Sequence, residues 1–207
     1  MAKHYKSVFE NEQELLKAIL SIHTKQETFD IDPMFFKGKF YKDGLSMPKY
    51  KYDLNPQDIF VERCNAESLD LDSESLDSYI LDPPFLIGNR PSQKKYYSAK
   101  THTMYKDFDT LKISYKGILK EAYRILKNKG ILVFKCQDYT DSKTTMTHVH
   151  VHNWATELGF YAKDLAILVK PNKVYNGGTN QRHFRKIHTY FWVFEKKKIG
   201  GNKLNYR

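Results

Sequence analysis

At 207 residues the chain is long enough for one sizeable core and is most simply a single domain. Lys plus Arg number 34 against 24 Asp plus Glu, a net charge of +10 that suits a polyanionic partner. No apolar run reaches the roughly 18 residues of a membrane span, the start Met1-Ala2-Lys3-His4-Tyr5-Lys6 lacks the apolar stretch of a secretion signal, and Cys64 and Cys136 are too few for a disulfide frame. The expectation is a cytoplasmic protein with two buried thiols and no membrane partner.

Residues 11 to 23 place Leu15, Leu16, Ile19, Leu20 and Ile22 at helical spacing. Thr28-Phe29-Asp30-Ile31 reads as a short strand, a second strand is expected near Lys49 to Asp53, and Ile59-Phe60-Val61 leads to Cys64 as a third. Leu76 to Leu81 is the fourth. Leu111, Tyr115, Ile118, Leu119, Ala122, Tyr123 and Leu126 mark one face of a helix that closes at Lys129-Gly130. Ile131 to Cys136 is a fifth strand, His152 to Leu158 a shorter helix ending at Gly159, and Leu165 to Val169 and Thr189 to Glu195 are two final strands joined without a helix. Strands alternating with helices predict an α/β fold with a mainly parallel, doubly wound sheet. The domain is expected to span residues 1–195, with a solvated basic tail over 196–207.

The most informative stretch is Ser78-Tyr79-Ile80-Leu81-Asp82-Pro83-Pro84-Phe85, an apolar strand that runs into two prolines. Each proline lacks a backbone donor, so the carbonyls of Asp82 and Pro83 stand as bare acceptors beyond the strand end. An exocyclic NH2 group supplies two matching donors, one for the Asp82 carboxylate and one for the Pro83 carbonyl, while the Phe85 ring offers a face to a flipped-out base. In open α/β sheets the ligand binds beyond the carboxyl ends of the strands, where Asp82 lies.

Asp82-Pro83-Pro84-Phe85 resembles motif IV of S-adenosylmethionine-dependent amino-group methyltransferases. The resemblance implies a Rossmann-like class I methyltransferase fold with an antiparallel final strand, S-adenosyl-L-methionine as cofactor, and adenine N6 in DNA as acceptor, because cytosine N4 enzymes of this kind more often carry Ser in place of the Asp. The wider run from Asp32 through Lys37-Gly38 to Tyr50-Lys51-Tyr52-Asp53 is similar to a phage and mobile-element group of such enzymes. Asp32, Pro33 and Gly38 match that family's Asp-Pro-Phe-x-Gly-x-Gly turn, but Phe36 stands at its middle glycine. The resemblance gives Asp32 the cofactor's ammonium and Lys37-Gly38 its carboxylate. Asp53 stands about twenty residues after the first-strand motif, a spacing at which doubly wound folds present an acid to ribose hydroxyls, or is an ordinary turn residue. Asn65-Ala66 falls where the family contacts the cofactor's adenine.

Residues 86 to 110 interleave Arg90, Lys94, Lys95, Lys100 and Lys106 with Tyr96, Tyr97 and Tyr105, a composition suited to phosphates and unstacked bases. Residues 170 to 188 add Lys173, Arg182, Arg185 and Lys186 without an acidic residue. Nucleic acid is the expected partner, with DNA ahead of RNA; a homodimer or a partner subunit stays open. His148-Val149-His150-Val151-His152 has no Cys or carboxylate at a familiar zinc spacing and reads as a helix start facing solvent, so no metal site is assigned. Trp154 and Trp192 read as core. Two other functions remain: an RNA adenine methyltransferase, and a non-catalytic methyltransferase-like subunit that binds nucleic acid.

Exchanging Lys94 and Lys95 for Glu is expected to weaken nucleic-acid binding and to flatten its dependence on salt, measured by fluorescence anisotropy across a salt series. An unchanged slope would place the phosphate contacts elsewhere.

Overall fold

The computed structural model describes residues 4–88, 105–140, 144–170, 183–184 and 186–197. In chain order these form β1 (Val8–Phe9), α1 (Glu12–Ile19), β2 (Ile31–Asp32), β3 (Tyr50–Asp53), β4 (Glu62–Arg63), β5 (Leu76–Leu81), α2 (Phe108–Ile125), β6 (Leu126–Cys136), β7 (Tyr139–Thr140), β8 (Thr144–Thr145), α3 (Thr147–Glu157), β9 (Phe160–Val169) and β10 (His188–Lys196). Eight strands make one sheet in the order β1-β9-β10-β6-β5-β2-β3-β4, and β7 pairs with β8 apart from it. All neighbours in the large sheet are parallel except β10, which runs antiparallel to both β6 and β9. This is the doubly wound arrangement with an antiparallel last strand that the resemblance implies. The chain builds outward from β2 to β4, then returns to place β5 on the other side of β2, so the switch in strand order lies between β2 and β5.

Local sequence explains the elements that frame this point. Asn11 caps α1 by accepting the Glu14 N–H at 2.9 Å, and the helix buries Leu15, Leu16 and Ile19 before passing into a π-turn over Leu20–Thr24. Asp107 caps α2 by accepting the Thr110 N–H at 2.8 Å, and Leu111, Tyr115, Ile118, Leu119, Ala122 and Ile125 form its buried stripe. On β5 and β6, Tyr79, Leu81, Leu132, Phe134 and Cys136 join the core that includes α2 and α3, while Ile80, Ile131 and Val133 join the core that includes α1. Both faces of the central strands are covered, which is why β5 reads as a continuous apolar run rather than an alternating one.

Several boundaries differ from the sequence reading. Ile59 and Phe60 are not strand: they are 92% and 73% exposed, and β4 is only Glu62–Arg63. Cys64, just beyond β4, is half-buried rather than buried, whereas Cys136 is fully buried; both are free thiols. α2 ends at Ile125 rather than at Lys129-Gly130, since Leu126 already pairs with Leu76 and Lys129 adopts φ 67° in an irregular stretch of β6. α3 starts five residues earlier than expected, at Thr147. Lys196 belongs to β10 and not to a solvated tail: its ammonium is buried on the Leu126 carbonyl at 2.6 Å and over the Tyr123 ring at 4.7 Å.

β2 is two residues long, too short to fix its own place in the sheet. Asp30 supplies the missing contacts, its Oδ2 accepting the N–H groups of Asp77 and Ser78 at 2.8 and 2.9 Å while its own N–H donates to the buried Ser78 Oγ at 2.9 Å. Hydrogen bonds to a charged acceptor contribute roughly 1.5–3 kcal/mol each. Asp30→Ala is therefore expected to lower stability by about 2–4 kcal/mol in urea unfolding, and a loss under about 0.5 kcal/mol, the usual range for surface changes, would contradict this role.

Candidate active site

A cavity of about 570 Å³ opens at the carboxyl ends of β2, β3 and β5. Asp32, Pro33, Asp53, Asn65, Ala66, Asp82, Pro83, Pro84 and Phe85 all line it, so residues far apart in the sequence are brought to one cavity. Lys37 and Gly38 are not among the lining residues. Tyr105, from the stretch read as a nucleic-acid contact, reaches the same cavity. Glu12, Phe35, Lys39, Glu67, Ser114, Lys135 and Lys170 line it as well, and none of these was assigned a role from sequence.

Asp82 follows the last residue of β5 and falls on the face of Ile80. The parallel register sets Ile80 beside Val133 and Leu81 beside Phe134, so the next step brings Asp82 to Lys135. Lys135 Nζ donates to Asp82 Oδ2 at 2.9 Å and forms an ion pair with Glu12 Oε1 at 2.9 Å. The rings of Phe40 and Phe191 lie 4.8 and 5.7 Å from the same ammonium. Burial by itself would push this amine down, but the Asp82 and Glu12 carboxylates outweigh it and hold Lys135 above the ordinary lysine range. Glu12 reaches the pair from the first turn of α1. The signal for Lys135 was a lone cation at the end of the apolar run Ile131-Leu132-Val133-Phe134.

The segment after Asp82 is braced from below. The buried Tyr115 hydroxyl donates to the Pro84 carbonyl at 2.9 Å, and Leu86 and Gly88 exchange backbone hydrogen bonds with Tyr105 at 3.1 and 2.9 Å. With no N–H at either proline, Pro83 and Pro84 can be held only through their carbonyls and rings.

The turn after β2 is built differently from a glycine-rich one. Asp32 is 2% exposed; its Oδ1 accepts the Met34 N–H and its Oδ2 the Tyr41 hydroxyl, each at 3.0 Å. Burial pushes its carboxyl up to about 7 against these two hydrogen bonds, with Asp82 and Asp53 adding to the rise. Phe36 takes φ 49° at the position of the family's middle glycine, and its N–H donates to Asp53 Oδ2 at 2.9 Å. Asp53 Oδ1 accepts the Asn55 N–H at 2.8 Å, so this carboxylate joins two lips of the cavity. Gly38 serves packing: at φ 59°, a Cβ there would lie 2.6 Å from the Phe35 ring, which itself stacks on Tyr41 at 5.4 Å. Lys37 and Lys39 both lie near the Phe36 ring, at 5.4 and 5.7 Å, and Lys39 is the one that reaches the cavity.

Across the cavity, Asn65 Oδ1 accepts the Glu67 N–H at 3.0 Å, at the position that the resemblance sets against the cofactor's adenine. Ala66 is buried at 6% exposure. Glu67 Oε1 accepts the Ser114 hydroxyl at 3.0 Å, and Gly117 in α2 leaves room for this carboxylate, since a Cβ there would lie 2.7 Å from Glu67 Oε2.

Arg90, Lys94, Lys95, Tyr96, Tyr97, Lys173, Arg182 and Arg185 lie outside the described residues. Lys186 is described; its carbonyl accepts from Gln137 Nε2 at 3.3 Å, and it does not line the cavity. The histidine run is more engaged than a solvent-facing helix start: His148 Nδ1 is 2.7 Å from the buried Asp138 carboxylate and its ring stacks on Tyr190 at 4.1 Å, because α3 packs its first turn against β10. Among the described residues no group of three or more His, Cys, Asp or Glu is placed to hold a metal ion. Trp154 is core, while Trp192 is half-buried with its indole N–H on the His148 carbonyl at 2.9 Å.

Residues 76–206 match the model of a protein family described as DNA methylase, covering N6 and N4 amino methylation. No curated protein matches the chain. Among solved structures, a candidate type 11 methyltransferase from Sulfolobus solfataricus superposes with a TM-score of 0.54 at 14% identity over 96% of this chain and 99% of that one. The 1,6-didemethyltoxoflavin-N1-methyltransferase of Burkholderia thailandensis, seen with its substrate and S-adenosylhomocysteine, gives a TM-score of 0.53 at 12% identity over 91% and 80%. A candidate DNA modification methylase from Thermus thermophilus gives 0.47 at 14% identity over 69% of this chain, which spans only 56% of that protein's length. At such identities the shared property is the fold.

Asp32 gives the protein a pH signature. A carboxyl at about 7 in the folded state, against an ordinary value of 3.8, is protonated when folded but ionised when unfolded between these limits. Its contribution to stability is therefore present below about pH 4 and lost as pH rises toward 7. Asp32→Asn is expected to remove that slope from thermal melts taken between about pH 5 and pH 8, and an identical slope in both proteins would contradict the raised value assigned to this buried acid.

Proposed function

Because the chain belongs to the DNA methylase family, we propose that it methylates an exocyclic amino group of a nucleic-acid base, adenine N6 in DNA, with S-adenosyl-L-methionine as donor. The observation that carries this reading is the placement of Asp82-Pro83-Pro84-Phe85 on the wall of the cavity that Asp32, Asp53 and Asn65 also line. A volume of about 570 Å³ suits a small-molecule cofactor site. The donor set suits this cofactor as well, with a buried carboxylate at Asp32 for an ammonium, a half-buried one at Asp53 for hydroxyls, and an apolar floor at Ala66 under an adenine ring. S-adenosylmethionine, when bound, supplies an electrophilic methyl group.

The chain's own part is to hold the target amine. The Asp82 carboxylate and the Pro83 carbonyl accept its two hydrogens, which draws the nitrogen out of conjugation and leaves its lone pair free, and Phe85 stacks on the ring. The proton released from the methylated nitrogen passes to solvent, since no step requires a covalent link to the protein. The Asp in this motif supports adenine over cytosine. The built turn at Phe36, with its backbone N–H committed to Asp53, supports a working cofactor site over an inactive subunit.

Asp82→Ala is expected to lower single-turnover transfer of labelled methyl groups to DNA on the order of a thousandfold while cofactor affinity stays within about twofold of the parent, a far smaller effect than one lost acceptor in a closed site produces. Digestion of the labelled DNA is expected to yield N6-methyladenine. Parental activity in the Asp82→Ala protein would overturn the assigned mechanism, and N4-methylcytosine would overturn the assigned base.

A further inference from the structure

We infer that Lys135 is a positioning residue for the target amine, fixing the Asp82 carboxylate in one orientation and making an anion at position 82 obligatory. This inference rests on the methyl-transfer reading above and extends it to a residue outside the Asp82–Phe85 motif.

Lys135 is out of character with its strand. Its side chain is 13% exposed, against a wall of two phenylalanine rings where an apolar side chain would pack as well. A buried ion pair adds little net stability over apolar residues of similar size, so stability does not explain the choice. What the lysine does specify is the character of the Asp82 atom that faces it. An ammonium has three donors and no acceptor, so Oδ2 of residue 82 must be an acceptor. The remaining oxygen, Oδ1, is then the one for the target amine, which is itself a donor. A carboxylate meets the two neighbours with separate acceptor atoms, one turned to each, and no other side chain of that size has two acceptor atoms and no donor.

Asparagine fails this test for a directional reason. Its amide would turn the carbonyl oxygen toward Lys135 to avoid setting NH2 against an ammonium, and its NH2 would then meet the donor face of the amine. The fault lies in the orientation that Lys135 imposes, not in the amide itself. Glu12, paired with the same ammonium at 2.9 Å, holds Lys135 charged and in place, so the orientation does not relax when Asp82 is neutralised.

The test is a cycle of Asp82→Asn with Lys135→Met, and with Lys135→Gln as a second neutral background that keeps a hydrogen-bonding partner for Glu12. Single-turnover methyl transfer and urea unfolding midpoints are measured for the full chain. In the parental background Asp82→Asn is expected to lose activity on the order of a thousandfold, and either neutral residue at 135 is expected to restore at least about tenfold of it, because the amide can then turn its oxygen to the amine. The unfolding midpoint is expected to fall more for Asp82→Asn alone than for Asp82→Asn added to either neutral background, a coupling that does not depend on activity. An active parent whose double variants are no more active than Asp82→Asn would overturn the inference while leaving the methyltransferase reading intact. A folded parent that transfers no methyl group to DNA or RNA would overturn that reading, and the inference with it.

Discussion

The parallel register of β5 on β6 is the constraint from which the site follows. These two strands lie at the centre of the sheet with both faces covered, so their alternation cannot slip without moving Tyr79 and Ile80 to the wrong cores. The same register carries Asp82 to Lys135 at the point where β5 ends and the two prolines begin. Glu12 then ties α1 to this pair, and Tyr115 ties α2 to the Pro84 carbonyl. Helices on opposite faces of the sheet thus meet at one strand end. Losing one member of such a largely buried charged set leaves the others unpaired, which costs more than breaking a surface pair.

The first half of the sheet solves a different problem with fewer residues. β2, β3 and β4 are two to four residues long, and no helix separates them among the described residues. Carboxylates replace the missing ladder: Asp30 accepts two N–H groups of β5, Asp32 accepts the Met34 N–H and the Tyr41 hydroxyl, and Asp53 accepts the N–H groups of Phe36 and Asn55. This is how a turn without its middle glycine still presents backbone and side chain to a cavity. The left-handed geometry that glycine would give freely is forced on Phe36, and a charge-assisted hydrogen bond offsets the strain. Burial pushes the Asp32 carboxyl up to about 7.

How much of this was legible depended on whether the determinant was local. The strand ending in Asp82-Pro83-Pro84-Phe85 was legible because apolar run and double proline are both local signals, and the α2 stripe was legible from its period. β4 was not, because Ile59 and Phe60 look like strand by propensity but have no sheet neighbour to bury them. Lys135 left only a weak local trace, a cation ending an apolar run, and its pairing with Asp82 and Glu12 follows only from aligning β5 with β6 and docking α1, which is tertiary information. Tyr41 escaped notice for the same reason: nothing in the sequence says that a tyrosine nine residues past Asp32 returns to donate to it. Lys37 and Gly38 were placed by motif spacing, but Gly38 packs against the Phe35 ring and Lys39, not Lys37, lines the cavity.

The central claim is that the cavity at the carboxyl ends of β2 and β5 holds the methyl donor, with Asp82 among its lining residues. Calorimetric titration of the purified chain with S-adenosylmethionine and, separately, with S-adenosylhomocysteine tests it most directly. The account predicts saturable binding of both at micromolar concentrations. No heat from either, with the protein folded and free of copurified ligand, would contradict it.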